Sequence, residues 1–124
     1  MTFKMSITML FSKWLEWQIK SIKNGSDIKA FNFNLYEASD AETEFDVQIV
    51  GCPSYSVDDP DWACETVFSS GEDLYRFDAD DWEAALEKFS TMIMDYLENC
   101  PNNVLSLCPH ISYGFVDGDL ITVR

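Results

Sequence analysis

The sequence predicts a single α+β domain, residues 1–124, in which an antiparallel sheet of about five to six strands packs with two main helices in the order α-β-β-β-β-α-β-β. Two segments repeat apolar residues at helical spacing, and several shorter ones alternate apolar with polar. These segments follow one another without an internal repeat or a linker-like stretch. At 14.2 kDa the chain has one-domain size and buries roughly two-thirds of its unfolded surface, enough for one core.

The first helix is expected over about Ile7 to Lys23. Ile7, Phe11, Trp14, Leu15, Ile19 and Ile22 share a broad face, with Lys13, Glu16, Lys20 and Lys23 opposite and Trp17 at the edge of the stripe. Ser6 or Thr8 suits the start, and Asn24-Gly25 is a left-handed stop. Two alternating runs follow. Phe31, Phe33 and Leu35 interleave with Asn32, Asn34 and Tyr36, and Phe45, Val47 and Ile49 interleave with Glu44, Asp46 and Gln48. The polar run Glu37 to Glu42 has hairpin length, and Gly51-Cys52-Pro53 ends the second strand. One sheet face is therefore buried and the other polar.

Ser54 to Asp61 reads as a loop, Trp62 to Phe68 as a third strand and Leu74 to Phe77 as a short fourth. Asp80-Asp81-Trp82-Glu83 opens the second helix, with Asp80 as the cap and Glu83 completing a box-like arrangement. Trp82, Ala85, Leu86, Phe89, Ile93, Tyr96 and Leu97 keep helical spacing until Pro101 stops it. Ile111 to Val116, the turn Asp117-Gly118 and Asp119 to Val123 form a closing hairpin.

Charge limits the partners. Of 22 carboxylates only Glu16 and Asp27 precede Glu37, while of 8 bases only Arg76, Lys88 and Arg124 follow it; the formal net charge is −14. Such a surface repels nucleic acid and anionic lipid and attracts basic proteins. A 15% aromatic content excludes a disordered acidic tail. There is no apolar run of membrane-spanning length, and Lys13 and Glu16 interrupt the start too early for a signal peptide, so a cytoplasmic location is expected. Cys52, Cys64, Cys100 and Cys108 lack a CxxC or Cys/His cluster, which favours reduced, mostly buried thiols. Three of them precede proline, marking extended or terminating backbone.

Motifs for chemistry are sparse. No catalytic residues, cofactor or metal are assigned. Cys108 and His110 can share a strand face, but no orienting group is legible beside them. The Asp-rich runs at Asp58, Asp78 and Asp117 miss the spacing of a twelve-residue calcium loop. Phosphate-binding glycine loops and a nucleophile elbow are absent. What remains is a surface: the acids from Asp58 to Asp81 run against one base, Arg76, with Tyr55, Trp62 and Tyr75 interspersed. Aromatic anchors among dense carboxylates suit an interface with a basic protein.

The stretch Asp61-Trp62-Ala63-Cys64-Glu65-Thr66-Val67-Phe68, the later Trp82-Glu83, and Gly114-Phe115-Val116-Asp117-Gly118-Asp119-Leu120 resemble recurring blocks of the immunity proteins of bacterial polymorphic-toxin and contact-dependent-inhibition systems. The resemblance implies a small α+β protein that binds a toxin domain tightly and covers its basic, often nuclease, active site. The expected function is then an inhibitor of a cognate toxin. Asp58, Asp59, Asp61, Glu72, Asp73 and Asp78 would attract the partner, with Tyr55 and Tyr75 as anchors. Two other readings stand beside it: a small enzyme using His110 with Cys108 or a carboxylate, and an acidic interaction module with a non-toxin partner.

Overall fold

The alternating phenylalanines of the first two strands set the architecture. A computed structural model describes residues 7–22, 27–40 and 42–124, with the side chains of residues 7–9 excepted. Ser6, Lys23 and Asn24-Gly25 lie outside the described residues, as does the side chain of Thr8. The chain forms α1 (Ile7–Ile19), β1 (Ala30–Glu37), β2 (Glu44–Cys52), a 3₁₀ helix (Pro60–Cys64), β3 (Phe68–Ser69), β4 (Tyr75–Asp78), α2 (Trp82–Asn99), β5 (Ile111–Phe115) and β6 (Ile121–Thr122). This is the expected α+β class, with two helices and a six-stranded sheet.

β1 and β2 pair antiparallel with Phe33 opposite Ile49 and Leu35 opposite Val47. Their period of two puts Phe31, Phe33, Leu35, Phe45, Val47 and Ile49 on one face, all buried. Both helices cover that face. Phe11 of α1 is fully buried and meets the rings of Trp14, Phe33, Tyr75, Phe89 and Tyr96 at centroid distances of 5.5 to 6.4 Å. Each aromatic pair adds about 0.5–1.5 kcal/mol beyond burial, so Phe11 joins α1, α2 and the sheet into one core. Ile111, Tyr113 and Leu105 extend it beneath α2.

The strand order is β3-β2-β1-β5-β6, with β4 also on β2. The sheet is mixed rather than wholly antiparallel, because β5 runs parallel to β1, with Phe33 opposite Tyr113. A helix between two strands is the usual parallel crossover, and α2 supplies one by returning the chain to the start of β1. β3 and β4 share the outer edge of β2, at Val50–Gly51 and Glu44–Val47 respectively. The turn between them carries Gly71 at φ +61°, the left-handed conformation that glycine adopts without strain.

Two expectations change. Trp62 to Phe68 is not a strand: its first part is the 3₁₀ helix, and only Phe68 joins β3. Pro60 occupies the helical start, and the Asp59 carboxylate accepts from Asp61 N–H at 3.0 Å, so local capping wins over the strand pattern. The cap of α2 is Asp81, not Asp80. The Asp81 side chain accepts from Ala84 N–H at 2.8 Å, which places Glu83 inside the first turn rather than at the box position. Trp82, the first residue of α2, is 52% exposed instead of joining the core.

Candidate functional site

The face of the sheet away from the helices carries amides where the core face carries phenylalanines. Register makes Asn34 the neighbour of Gln48 and Asn32 the neighbour of Ser112. Ser112 Oγ donates to Asn32 Oδ1 at 2.7 Å, Asn32 Nδ2 to Asn34 Oδ1 at 2.8 Å, and Asn34 Nδ2 to Gln48 Oε1 at 3.1 Å. Tyr36 O–H also donates to Gln48 Oε1, and Gln48 Nε2 donates to the Gly71 carbonyl at 3.0 Å. Asn32 is 1% and Ser112 4% exposed, and no buried side-chain polar atom among the described residues lacks a partner. A fully bonded amide chain is rigid, so it forms a pre-set polar floor across three strands.

Two walls rise from this floor. Pro60, Asp61, Ala63 and Cys64 of the 3₁₀ helix form one, and Phe115, Val116, Gly118 and Leu120 of the closing hairpin form the other. The groove between them holds about 630 Å³. The first wall is fixed by a small apolar cluster of Ala30, Val50, Cys52 and Trp62, with Tyr55 and Leu120 packed against it. The second depends on Gly114. A Cβ there would lie 2.4 Å from the Asp119 carbonyl oxygen, so only glycine lets the hairpin fold back across β5.

The carboxylates divide by neutralisation. Arg76 holds Asp46 at 2.9 Å, Asp40 at 3.2 Å and Glu44 at 3.3 Å, and Lys88 holds Asp78 at 3.5 Å. The Arg76 guanidinium, chiefly through its hydrogen bond, keeps the Asp40 carboxyl below the usual range. The hydrogen bonds that Arg76 donates to Asp46 and then to Asp40 hold it more firmly protonated. Asp61 in the first wall, Asp58 and Asp59 just before it in the chain, and Asp117 and Asp119 on either side of Gly118 in the second wall have no cationic partner among the described residues.

The eight residues expected to bind a partner do not share one surface. Asp58, Asp59 and Asp61 are all exposed in one loop, and Asp61 lines the groove. Tyr55 belongs to the same loop but is half-buried: its ring stacks on His110 at 3.7 Å and 4°, and lies 5.2 Å from Trp62. Glu72 is exposed in the β3–β4 turn. Asp73 is drawn toward α1, where Trp14 Nε1 donates to its carbonyl at 3.1 Å and Gln18 Nε2 to its carboxylate. Tyr75 packs on Phe11 and Trp14, and partial burial raises its phenol pKa. Asp78 is occupied by Lys88, whose Nζ also donates to the Asp78 carbonyl at 2.6 Å. The amide floor was missed by sequence reasoning, which took Asn32, Asn34 and Gln48 as a wet face. Asparagine is depleted in strands, and two at alternate positions opposite a glutamine were the available signal.

Cys108 and His110 are close in a different sense from a catalytic pair. The Cys108 thiol donates to the His110 carbonyl at 3.6 Å, and the imidazole is stacked on Tyr55. Burial raises the Cys108 thiol, against smaller lowering from the His110 hydrogen bond and Arg124. A protonated thiol turned toward backbone is poorly placed to act as a nucleophile. All four cysteines are free; Cys52 and Cys108 are buried, Cys100 is intermediate and Cys64 exposed. Among the described residues no group of three His, Cys, Asp or Glu is arranged to hold a metal ion, and no helix is long and apolar enough to cross a membrane.

Comparison with protein-family models, with curated proteins and with solved structures finds no match to this chain.

Proposed function

We propose that the chain is a small acidic inhibitor, an immunity protein that neutralises a cognate basic toxin domain by occluding its active site. One observation carries this reading: Asp61 lines the amide-floored groove, Asp58 and Asp59 precede it in the same exposed loop, and Asp117 and Asp119 flank Gly118 of the opposite wall, all without cationic partners among the described residues, while Asp40, Glu44, Asp46 and Asp78 elsewhere are neutralised internally. Unneutralised acids in close array repel one another, and a cationic surface relieves that repulsion on binding. A nuclease fits well as the target, because its substrate cleft must itself be basic to hold phosphates. The bonded amide floor supports the reading by offering fixed carbonyl and N–H groups to polar side chains without a large ordering cost. Asp58, Asp59 and Asp61 are assigned to recognition; Glu72 lies at the periphery, while Asp73, Asp78 and Tyr75 serve the fold.

Protection of growth tests the proposal. The protein is co-expressed with each toxin domain encoded in its native gene neighbourhood, alongside a variant carrying Asp58→Lys, Asp61→Lys and Glu65→Lys. Asp59 is left in place because it caps the 3₁₀ helix. Protection by the parent and its loss in the folded variant is the expected result. Protection that survives the triple reversal would place recognition elsewhere, and failure to protect against any of these domains would remove the immunity reading.

A further inference from the structure

β6 lies at one end of the strand order, paired on its inner side to β5 through Ser112–Thr122 and Tyr113–Ile121. Val123 N–H donates to the Ile111 carbonyl at 2.8 Å. Backbone groups alternate along a strand, so Thr122 turns its N–H and C=O to the open side. Thr122 is exposed, and no hydrogen bond from its N–H is found among the described residues beyond the ladder. Open strand edges are commonly protected by proline, an inward charge or a bulge. Leu120–Val123 holds neither proline nor charge, and a bulge lies only at its end, where Val123 and Arg124 N–H both donate to the Ile111 carbonyl.

Beside this edge runs an apolar trough. Trp82, Leu86, Phe115 and Ile121 line about 470 Å³ of it, with Glu37, Asp117 and Asp119 at the rim. Past Trp82 and Ile121 a second hollow of about 640 Å³ continues along α2, bordered by Asp81, Glu83 and Glu87. Neither hollow is lined by a lysine or arginine. Trp82, 52% exposed, stands between them.

We propose that the β6 edge and the Trp82–Ile121 trough form a second recognition site, which takes an extended basic-and-apolar segment of a partner protein as an added β-strand. Main-chain bonds to Thr122 supply register. Alternate apolar side chains enter the trough beside Trp82 and Leu86, and the intervening lysines or arginines turn to the opposite face, where Thr122 and Asp119 border a separate hollow. Charge decides the occupant. A second copy of this chain would bring another net charge of −14 to the same edge, whereas a cationic strand is attracted by it. This site shares Phe115 and Gly118 with the wall of the amide-floored groove, and it does not depend on the partner being a toxin.

The test uses a peptide of about eight residues alternating Lys and Val, the length of a common strand, and a Glu-Val counterpart. Two-dimensional NMR follows the Thr122 amide and Trp82 indole. The Lys-Val peptide is expected to shift both and the Glu-Val peptide neither. Thr122→Pro removes the outward N–H without touching the β5 ladder, a position where proline is tolerated, and should weaken binding about tenfold while Thr122→Ala does not. Should the proline variant misfold, Trp82→Ala gives the same reading through loss of the trough anchor. Undiminished binding by these folded variants, equal binding of both peptides, no binding of the Lys-Val peptide, or shifts confined to the Asn32–Gln48 face would overturn the proposal. So would concentration-dependent self-association abolished by Thr122→Pro, which would make a second copy the occupant.

Discussion

Cys52 and Cys64 lie on the same side of the sheet and differ in what their surroundings allow. Cys52 is fully buried at the end of β2, and burial, then the charges of Cys64 and Cys108, push its thiol up to about 11. Cys64 ends the 3₁₀ helix and is exposed. A thiol whose folded pKa is raised stabilises the fold fully below its unfolded value of about 8.5, and that contribution disappears as pH rises toward the folded value. Cys108 and Cys100 are raised by burial as well and act with the same sign. Two outcomes are expected: a thiol reagent at neutral pH modifies Cys64 well before Cys52 or Cys108, and the melting temperature falls as pH is raised from about 9 toward 11. Equal reaction rates at Cys64 and Cys52 would contradict this. The prolines after Cys52, Cys100 and Cys108 made their backbone roles legible: Cys52 ends β2 and Cys100 caps α2. Which thiols are covered was not legible, because Cys52 is buried by Trp62, whose inward turn depends on the 3₁₀ helix.

At the scale of elements, α2 separates two adjacent aspartates, of which the sequence pattern favours Asp80 and the fold uses Asp81. Asp81 accepts the Ala84 N–H, whereas Asp80 is exposed and makes no such bond. Asp81→Ala should cost about 1 kcal/mol in denaturant unfolding and Asp80→Ala no more than about 0.5 kcal/mol. A larger loss at Asp80 would put the cap where the sequence pattern suggested. The long periodic elements, α2, β1 and β2, were legible because their burial is set by their own spacing. The segment after Pro60 was not, since the alternation of Trp62 to Phe68 fits a strand and only the proline with its capping aspartate argues otherwise. The parallel pairing of β5 with β1 was likewise outside the pattern, which states which face is apolar but not which neighbour a strand finds.

Across the whole molecule the acidity has two fates. Around Arg76 and Lys88 carboxylates are absorbed into the sheet edge and the start of α2; around the helix-free groove and the β6 edge they remain uncompensated. The density of acids from Asp58 to Asp61 could be read from sequence, and it marks one rim of the groove. The other wall could not, because Gly118 and Leu120 reach it only through the fold-back over Gly114. The separation of Asp73, Asp78 and Tyr75 from that rim follows from strand register and from α1 packing, neither of which a linear charge count contains. The most direct measurement is the association rate with the toxin domain proposed as its partner over a range of ionic strength. The parent rate should fall steeply as salt rises from about 0.05 to 0.5 M, while the Asp58, Asp61 and Glu65 reversal to lysine slows association at low salt and converges with the parent at high salt. A rate indifferent to salt and unchanged by the reversal would contradict recognition through the groove acids.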